Sequence, residues 1–272
     1  MTGPDPAPGP AADPLGYPGV RPDRSGLLTG DGFAPLRPAA GAPLGEWAVE
    51  PGGTLARRLA AAGAPALDVR RPVLAVGANA APARLRRKFD GRAPMEAPMV
   101  LAEVRGLEPG VSAHVNRAGY LPAAPVARPG AAGRLFVLWL TAEQLRVLDA
   151  TEPNYRRRAI TADRATVLLP SGLTVPALDL YVSRHGCLAD GAGLPWPLAD
   201  QRAMIGELLA GSARLRRLCG PGPDEFVRRA AEPAVRDAVR GVLRAEGRVL
   251  DQPELTGLPP GTEPPEPALG RG

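Results

Sequence analysis

Pro72 to Phe89 reads Pro-Val-Leu-Ala-Val-Gly-Ala-Asn-Ala-Ala-Pro-Ala-Arg-Leu-Arg-Arg-Lys-Phe, and this stretch decides the fold. Val73 to Val76 is a short apolar run, long enough for one buried strand. The Gly-Ala-Asn that follows consists of turn residues. Pro82 suits the first turn of a helix, because its missing N–H would have no helical partner there. The stretch predicts a strand, a tight turn and a helix, whose free backbone N–H groups suit a carboxylate or an oxyanion.

A second informative segment runs from Leu148 to Arg157 and reads Leu-Asp-Ala-Thr-Glu-Pro-Asn-Tyr-Arg-Arg. The two segments together resemble the gamma-glutamylcyclotransferase-like family. Val-Gly-Ala-Asn-Ala at 76–80 is similar to its Tyr-Gly-Ser-Asn-Leu signature. The second segment is similar to its Leu-Asp-x-x-Glu-Gly…Tyr-Arg-Arg segment, in which the Glu is the catalytic acid/base. Their order and separation also fit, and the resemblance covers residues 73–183.

The resemblance implies an α+β fold: a small mixed β-barrel with peripheral helices and a site in a cavity at one end. It implies that a γ-glutamyl group closes into 5-oxoproline and expels an amine or amino acid, with no metal or organic cofactor. The implied partner is thus a small-molecule γ-glutamyl substrate, and Glu152 is the implied catalytic residue. The implied substrate-binding residues are Val76, Gly77, Ala78, Asn79, Ala80 and Tyr155.

Three residues depart from the family pattern. Val76 stands where the family has Tyr, and Ala78 stands where it has Ser. Backbone contacts survive both changes, whereas side-chain contacts do not. Pro153 replaces the Gly after the catalytic Glu and stiffens that turn. The departures affect substrate specificity and leave a non-catalytic binding module of the same fold as an alternative.

The remaining pattern also predicts an α+β protein, since strands come first and helices last. Residues 134–140 are nearly continuously apolar and predict a central strand. Thr141 and Gln144 form a capping-box pattern, and the helix they begin must end before Pro153, which puts Glu152 at a helix end. Residues 164–169 and 173–183 predict a hairpin. The predicted core includes Val73, Leu74, Leu135, Val137, Leu138 and Leu168.

Composition divides the chain into four parts. Residues 1–45 and 251–272 are rich in Pro and Gly and poor in large apolar residues, so we predict disordered tails there. Residues 46–190 form the domain that the two motifs identify as gamma-glutamylcyclotransferase-like by resemblance. Residues 191–250 carry helical periodicity and form a predicted helical C-terminal extension.

Charge and cysteine content limit the partners and the compartment. The net charge is +5 and the pI about 9.8, but Lys88 is the only lysine and no aromatic-rich basic motif is present. An ordinary globular protein with Arg-rich faces is therefore favoured over a nucleic-acid-associated protein, which stays a lesser alternative. No signal peptide and no membrane span are expected. Two distant cysteines indicate reduced thiols in a cytoplasm.

The histidines and cysteines suggest two other kinds of site, a nucleophilic pair and a metal site. His185 and Cys187 are two residues apart and could share a strand face, as a Cys/His nucleophilic pair would require. No third group that would orient the histidine is visible in the sequence. Two His and two Cys also lack the clustered spacing of a metal site, so none is expected.

Overall fold

The computed structural model describes residues 13–262. The strands are β1 (Gly26–Thr29), β2 (Gly32–Arg37), β3 (Ala48–Val49), β4 (Arg71–Ala75), β5 (Ala97–Val111), β6 (Ala123–Leu140), β7 (Tyr155–Thr161), β8 (Thr166–Leu168), β9 (Ala177–Ser183), β10 (Cys187–Leu188) and β11 (Val249–Leu250). The helices are α1 (Leu55–Ala61), α2 (Pro82–Phe89), α3 (Ala142–Thr151), α4 (Gln201–Ala210), α5 (Ala213–Cys219), α6 (Pro223–Ala230), α7 (Pro233–Ala245) and α8 (Pro253–Thr256). The predicted α+β class is confirmed.

Nine of the strands form one mixed sheet in the order β3-β2-β1-β5-β6-β4-β9-β7, with β8 also paired to β5. The pairs are antiparallel except β4 with β9, and the long β5–β6 hairpin forms the centre. The prediction of a barrel is wrong for the described residues. The outer edge of β5 is taken by β1 and β8, so the sheet ends at β3 and β7 instead of closing.

The stretch from Pro72 to Phe89 folds as its sequence predicts. β4 lies between β6 and β9, a 3-10 turn covers Ala78–Ala80, and α2 begins with Pro82 in its first turn. Leu85 and Phe89 are fully buried, because residues four apart share one face of a helix. The turn is therefore held between a buried strand and a buried helix face.

The predicted capping box begins α3. The Gln144 N–H donates to the Thr141 hydroxyl, and the Thr141 N–H donates to the Gln144 side chain. The helix ends at Thr151, and Glu152 is its C-cap residue. Pro153 follows, and Tyr155 begins β7. The predicted place of Glu152 at a helix end is confirmed.

Five of the six predicted core residues are buried, whereas Leu168 is only half-buried. In β8 the buried residue is Val167, and Leu169 is buried just after the strand. Successive strand residues point to opposite faces, so the prediction for Leu168 was displaced by one position. The predicted turn at 170–172 is present, with Gly172 at φ +88°. β9 nevertheless pairs with β4 and β7 rather than with β8.

The prediction of a disordered tail over residues 1–45 is wrong for the part that contains β1 and β2. These strands form a hairpin, and β1 pairs with β5. Leu27 and Leu28 are fully buried. Their apolar side chains face opposite sides of the sheet, and both sides are covered, which a composition average over the segment does not reveal. Residues 1–12 lie outside the described residues.

The prediction of a disordered tail over 251–272 is likewise wrong up to residue 262. Leu255 on α8 is buried in the main core, and Pro260 forms a bridge with Arg158 on β7. The Thr262 N–H donates to the buried Asp179 carboxylate. Residues 263–272 lie outside the described residues.

Helices α4 to α7 enclose an apolar cluster of their own. It includes Met204, Ile205, Leu208, Phe226 and Leu243, all nearly inaccessible to solvent. The cluster continues into the end of β5 and the loop after it, so the helices pack against the sheet. The division at residues 190 and 191 stays a prediction. Across residues 13–262, no helix combines the length and the apolar character needed to cross a membrane.

Candidate functional site

Glu152 lies beside the Gly77–Ala80 turn, although the two motifs are far apart in sequence. The Asn79 side-chain N–H donates to Glu152 Oε1 at 3.2 Å. Lys88 Nζ donates to the same oxygen at 2.6 Å and to Asn79 Oδ1 at 2.8 Å. The three side chains form a closed triangle of hydrogen bonds, and those of Glu152 and Lys88 are only 18% and 20% exposed.

The two carboxylate oxygens of Glu152 have different surroundings. Oε1 accepts both hydrogen bonds, from Lys88 and from Asn79. Oε2 accepts none from the residues that the structure describes. A carboxylate held through one oxygen keeps the other available for proton transfer, which is the arrangement that a positioned acid/base needs.

A tyrosine from the N-terminal segment covers the Gly77 turn. A Cβ at Gly77 would lie 2.4 Å from the Tyr17 hydroxyl and 2.9 Å from the Ala123 Cβ, so only glycine fits there. The Ala123 N–H donates to the Tyr17 hydroxyl at 2.9 Å. The Tyr17 ring stacks on Tyr120, with ring centroids 4.3 Å apart. A phenol hydroxyl thus reaches the turn from elsewhere in the chain, although Val76 provides none.

Two buried tyrosines, Tyr17 and Tyr120, and the partly buried Tyr155 lie near this turn and are held in their neutral form. Burial raises the pKa of Tyr120 to about 12, and the Glu152 carboxylate adds to the shift. Burial also raises the pKa of Tyr17 and of Tyr155 well above the ordinary value, with Glu152 again contributing. All three hydroxyls are therefore neutral groups near the carboxylate at physiological pH.

Every predicted site residue has a defined place. Val76 and Ala80 are buried in the apolar core, so their side chains support the turn. Ala78 and Asn79 are partly exposed. The Tyr155 hydroxyl donates to the Ala123 carbonyl at 2.8 Å, so the backbone of Ala123 binds both Tyr17 and Tyr155. The structure brings Asn79 into contact with Glu152, whereas Tyr155 reaches the site through Ala123.

A cavity of about 380 Å³ opens beside Glu152. Its lining also includes Asp149, Tyr155, Tyr181 and the arginines at 156–158 and 184. The turn at 77–80 is not part of that lining, contrary to the expectation that Glu152 and the turn N–H groups share one cavity. The space directly over Gly77 is taken by the Tyr17 hydroxyl and the Ala123 side chain.

Lys88 and Tyr17 are the site residues that sequence reasoning missed. Lys88 is the only lysine in a chain with 33 basic residues, and that rarity was a usable signal. It lies nine residues after Asn79, at the end of α2, and reaches back to the turn. Tyr17 had no such signal, because it lies in a segment predicted to be disordered.

The histidines and Cys187 belong to a buried polar cluster. The Ser112 hydroxyl is hydrogen-bonded to His114 Nδ1 at 2.7 Å and to the Ser183 hydroxyl at 2.6 Å. Burial lowers the pKa of His114 to about 3, with His185 and Arg240 adding to the shift. Burial raises the pKa of the Cys187 thiol to about 11, which does not suit a nucleophile at neutral pH.

No metal centre is formed by the described residues. Within 13–262, no three His, Cys, Asp or Glu side chains are grouped so that they could hold an ion. The chemistry available at the candidate site is therefore that of a positioned carboxylate, an ammonium group, an amide and tyrosine hydroxyls.

Comparisons with known proteins give structural neighbours only. No family profile matches the chain, and no curated protein matches it. The similar solved structures include a gamma-glutamyl cyclotransferase, with 15% identity, a TM-score of 0.33, and coverage of 43% of this chain and 68% of that one.

Two further neighbours come from a plant and from human. An Arabidopsis thaliana protein has 16% identity, a TM-score of 0.35 and coverage of 54% of this chain and 91% of its own. An uncharacterized Homo sapiens protein has 12% identity, a TM-score of 0.36 and coverage of 63% and 98%, respectively. The family suggested by the two motifs is represented among these structures, but values this low assign neither an activity nor a substrate.

Proposed function

We propose that this chain is a gamma-glutamylcyclotransferase-like enzyme that releases an amine or amino acid from a γ-glutamyl compound and forms 5-oxoproline. One observation carries the proposal: the Glu152 carboxylate meets the Asn79 side chain at 3.2 Å, across 73 residues of sequence. The two motifs that suggested the reaction thus meet at one place. An unrelated surface glutamate would have no reason to lie there.

The reaction is an intramolecular acyl transfer. The α-amine of the γ-glutamyl group attacks the side-chain carbonyl carbon, the new C–N bond closes a five-membered lactam, and the C–N bond to the leaving amine breaks. Nucleophile and electrophile belong to one molecule, so the enzyme supplies orientation and proton transfer. In the proposal, Glu152 Oε2 carries two protons, one at a time, from the α-ammonium nitrogen to the leaving nitrogen, so that the lactam keeps one N–H and the leaving group departs as an ammonium. No external oxidant, metal or organic cofactor enters this balance.

Lys88 and Asn79 position the acid/base. Both bind Oε1 and fix the rotation of the carboxylate, so that Oε2 presents the same face to substrate at each turnover. Charge-assisted hydrogen bonds such as the one from Lys88 are the stronger kind. Backbone N–H groups of the Gly77–Ala80 turn would hold the glutamyl carboxylate or the developing oxyanion. For that contact, the Tyr17 hydroxyl must share the turn with substrate or leave it.

A non-catalytic binding module of the same fold is the second candidate. Two observations favour it: the Tyr17 hydroxyl lies against Gly77, and the turn at 77–80 does not line the cavity beside Glu152. The departures at Val76 and Ala78 point the same way. In both readings the partner is a small γ-glutamyl molecule.

We further infer a reducing, cytoplasmic setting, because Cys187 and Cys219 are buried free thiols.

The proposal is tested by incubating the full chain with γ-glutamyl dipeptides, γ-glutamylamines and isopeptide-linked γ-glutamyl lysine, and measuring 5-oxoproline by mass spectrometry. The enzyme reading predicts stoichiometric release of 5-oxoproline and amine from at least one compound. Calorimetric binding of a γ-glutamyl compound without any product would instead support the binding module. Neither product nor binding would overturn both readings.

A further inference from the structure

We propose a second ligand site, which does not include Glu152 but shares Arg156, Arg158 and Arg184 with the cavity beside it, and which binds a nucleoside phosphate independently of the proposed function. It is a cavity of about 500 Å³ between β7, the end of β9 and the C-terminal segment that contains α8. This volume lies in the range typical of small-molecule sites. Its lining is Arg156, Arg158, Val182, Ser183, Arg184, Gly186, Asp251, Gln252, Pro253 and Thr256.

The cavity carries an excess of positive charge. Three arginines line it against one acid, Asp251. Arg156 and Arg158 share one face of β7, and neither makes a side-chain hydrogen bond or ion pair with the residues that the structure describes. Arg158 Nε is moreover buried without a partner. Arg157, between them, points to the other face and pairs with Asp149 and the buried Asp179.

A cavity wall with one buried unpaired guanidinium nitrogen, on Arg158, and one exposed arginine without an acidic partner, Arg156, suits an anionic ligand. Arg presents a rigid fork of donors that matches phosphate and carboxylate oxygens, and a buried donor left unpaired is costly. The alternation along β7 therefore uses one arginine for the structure and leaves its two neighbours available for a ligand.

Gln252 supplies an independent observation. Gln252 is only 3% exposed and lines the same cavity, and neither its amide nitrogen nor its amide oxygen has a hydrogen-bond partner among residues 13–262. Buried amides are normally satisfied. An amide that offers one donor and one acceptor together matches a group with an adjacent acceptor and donor, such as the edge of a nucleobase.

The two observations together define the ligand. Phosphate oxygens would lie against Arg156 and Arg158, and a base edge would lie against Gln252. A free phosphate would leave the amide unpaired, and an uncharged nucleoside would leave the arginines unpaired. A nucleoside phosphate satisfies both groups within one cavity.

The test is calorimetric titration of the full chain with ADP, GDP, CDP and UDP, with inorganic pyrophosphate and the four nucleosides as partial ligands. We expect at least one nucleotide to bind. Pyrophosphate and the matching nucleoside should each bind at least roughly tenfold more weakly than that nucleotide, since hydrogen bonds to charged groups are strong. Absence of nucleotide binding, or equal binding of pyrophosphate and nucleotide, would overturn the proposal.

Variants locate the binding. The Arg156 side chain is exposed, so we expect Arg156→Gln to keep the fold. This variant should weaken nucleotide binding roughly tenfold or more. The control Arg57→Gln, on α1, should leave nucleotide binding unchanged. Gln252→Leu should weaken binding without lowering the melting temperature, because replacing an unpaired buried amide by an apolar group of similar shape is near neutral. Unchanged nucleotide affinity in Arg156→Gln and Gln252→Leu would contradict the site. Activity on γ-glutamyl compounds plays no part in this readout, so the two proposals fail separately.

Discussion

Tyr17 shows at the residue scale how one side chain links the N-terminal segment to the candidate site. Its hydroxyl accepts from the Ala123 N–H at 2.9 Å and lies directly over Gly77. Its ring stacks on Tyr120. Because Ala123 is buried, its N–H has no access to water as an alternative partner. The hydroxyl of Tyr17 therefore contributes to stability as well as to the shape of the site.

Tyr17→Phe should lower the free energy of unfolding by about 1–3 kcal/mol, since it leaves a buried backbone N–H without an acceptor. Tyr120→Phe is the matched control. The Tyr120 hydroxyl makes no hydrogen bond within residues 13–262. Its removal should therefore change the free energy of unfolding by about 0.5 kcal/mol or less. Chemical denaturation of both variants measures the difference, and equal losses would contradict the assignment of the Ala123 bond.

His114 should make the free energy of unfolding depend on pH. Its pKa is lowered to about 3 by burial, whereas an unfolded histidine titrates near 6.5. Between these values the unfolded chain binds a proton that the folded chain does not, so stability falls as pH falls from 6.5 toward 3. The contribution lost between pH 6.5 and pH 4 is about 3 kcal/mol.

His114→Gln retains a hydrogen-bonding side chain for Ser112 but does not titrate. The unfolding free energy of the wild type minus that of this variant should fall by about 3 kcal/mol as pH falls from 6.5 to 4, whatever its value at pH 7. Urea titrations at several pH values provide the comparison. A difference that stays constant with pH would show that His114 is protonated in the folded state, against its burial.

At the scale of elements, the N-terminal hairpin carries the largest correction to the sequence prediction. β1 lies along β5, and Leu27 and Leu28 are buried on opposite faces. Leu27→Ala should cost about 2–5 kcal/mol, as for other fully buried leucines. Val20→Ala, at a residue 78% exposed in the same segment, should cost about 0.5 kcal/mol or less. A Leu27→Ala variant as stable as wild type would restore the disordered-tail prediction.

Local signals in the sequence decided which elements were predicted correctly. The capping box of Thr141 and Gln144 and the Pro82 start of α2 are read from neighbouring residues, and both were right. β1 has only four residues and gains its burial from β5, some seventy positions later. A Pro- and Gly-rich composition cannot reveal such a pairing, because the partner strand supplies the energy.

At the scale of the whole molecule, the sheet is open and the site is assembled from distant segments. Two motifs located Asn79 and Glu152, and their contact follows from the packing of α2 and α3 on the same sheet. Lys88 and Tyr17 could not be predicted in the same way. Lys88 depends on the reach of one side chain from the end of α2, and Tyr17 depends on a segment whose order comes from long-range contacts.

The two cavities adjoin each other at β7, since both include Arg156, Arg158 and Arg184 in their walls. Within residues 13–262, Arg156 and Arg158 make no ion pair, whereas Arg157 between them pairs with Asp149 and Asp179. The net charge of the chain does not distinguish these two kinds of arginine.

In the proposed reaction, Glu152 is the acid/base of a γ-glutamyl cyclisation. The most direct test is the initial rate of 5-oxoproline formation by the wild type and by Glu152→Gln, with Glu143→Gln on the same helix as the control. Glu152→Gln keeps the shape but removes the base, so the rate should fall by roughly 10²–10⁴, while Glu143→Gln keeps the wild-type rate. A Glu152→Gln protein that forms 5-oxoproline as fast as the wild type would contradict the claim.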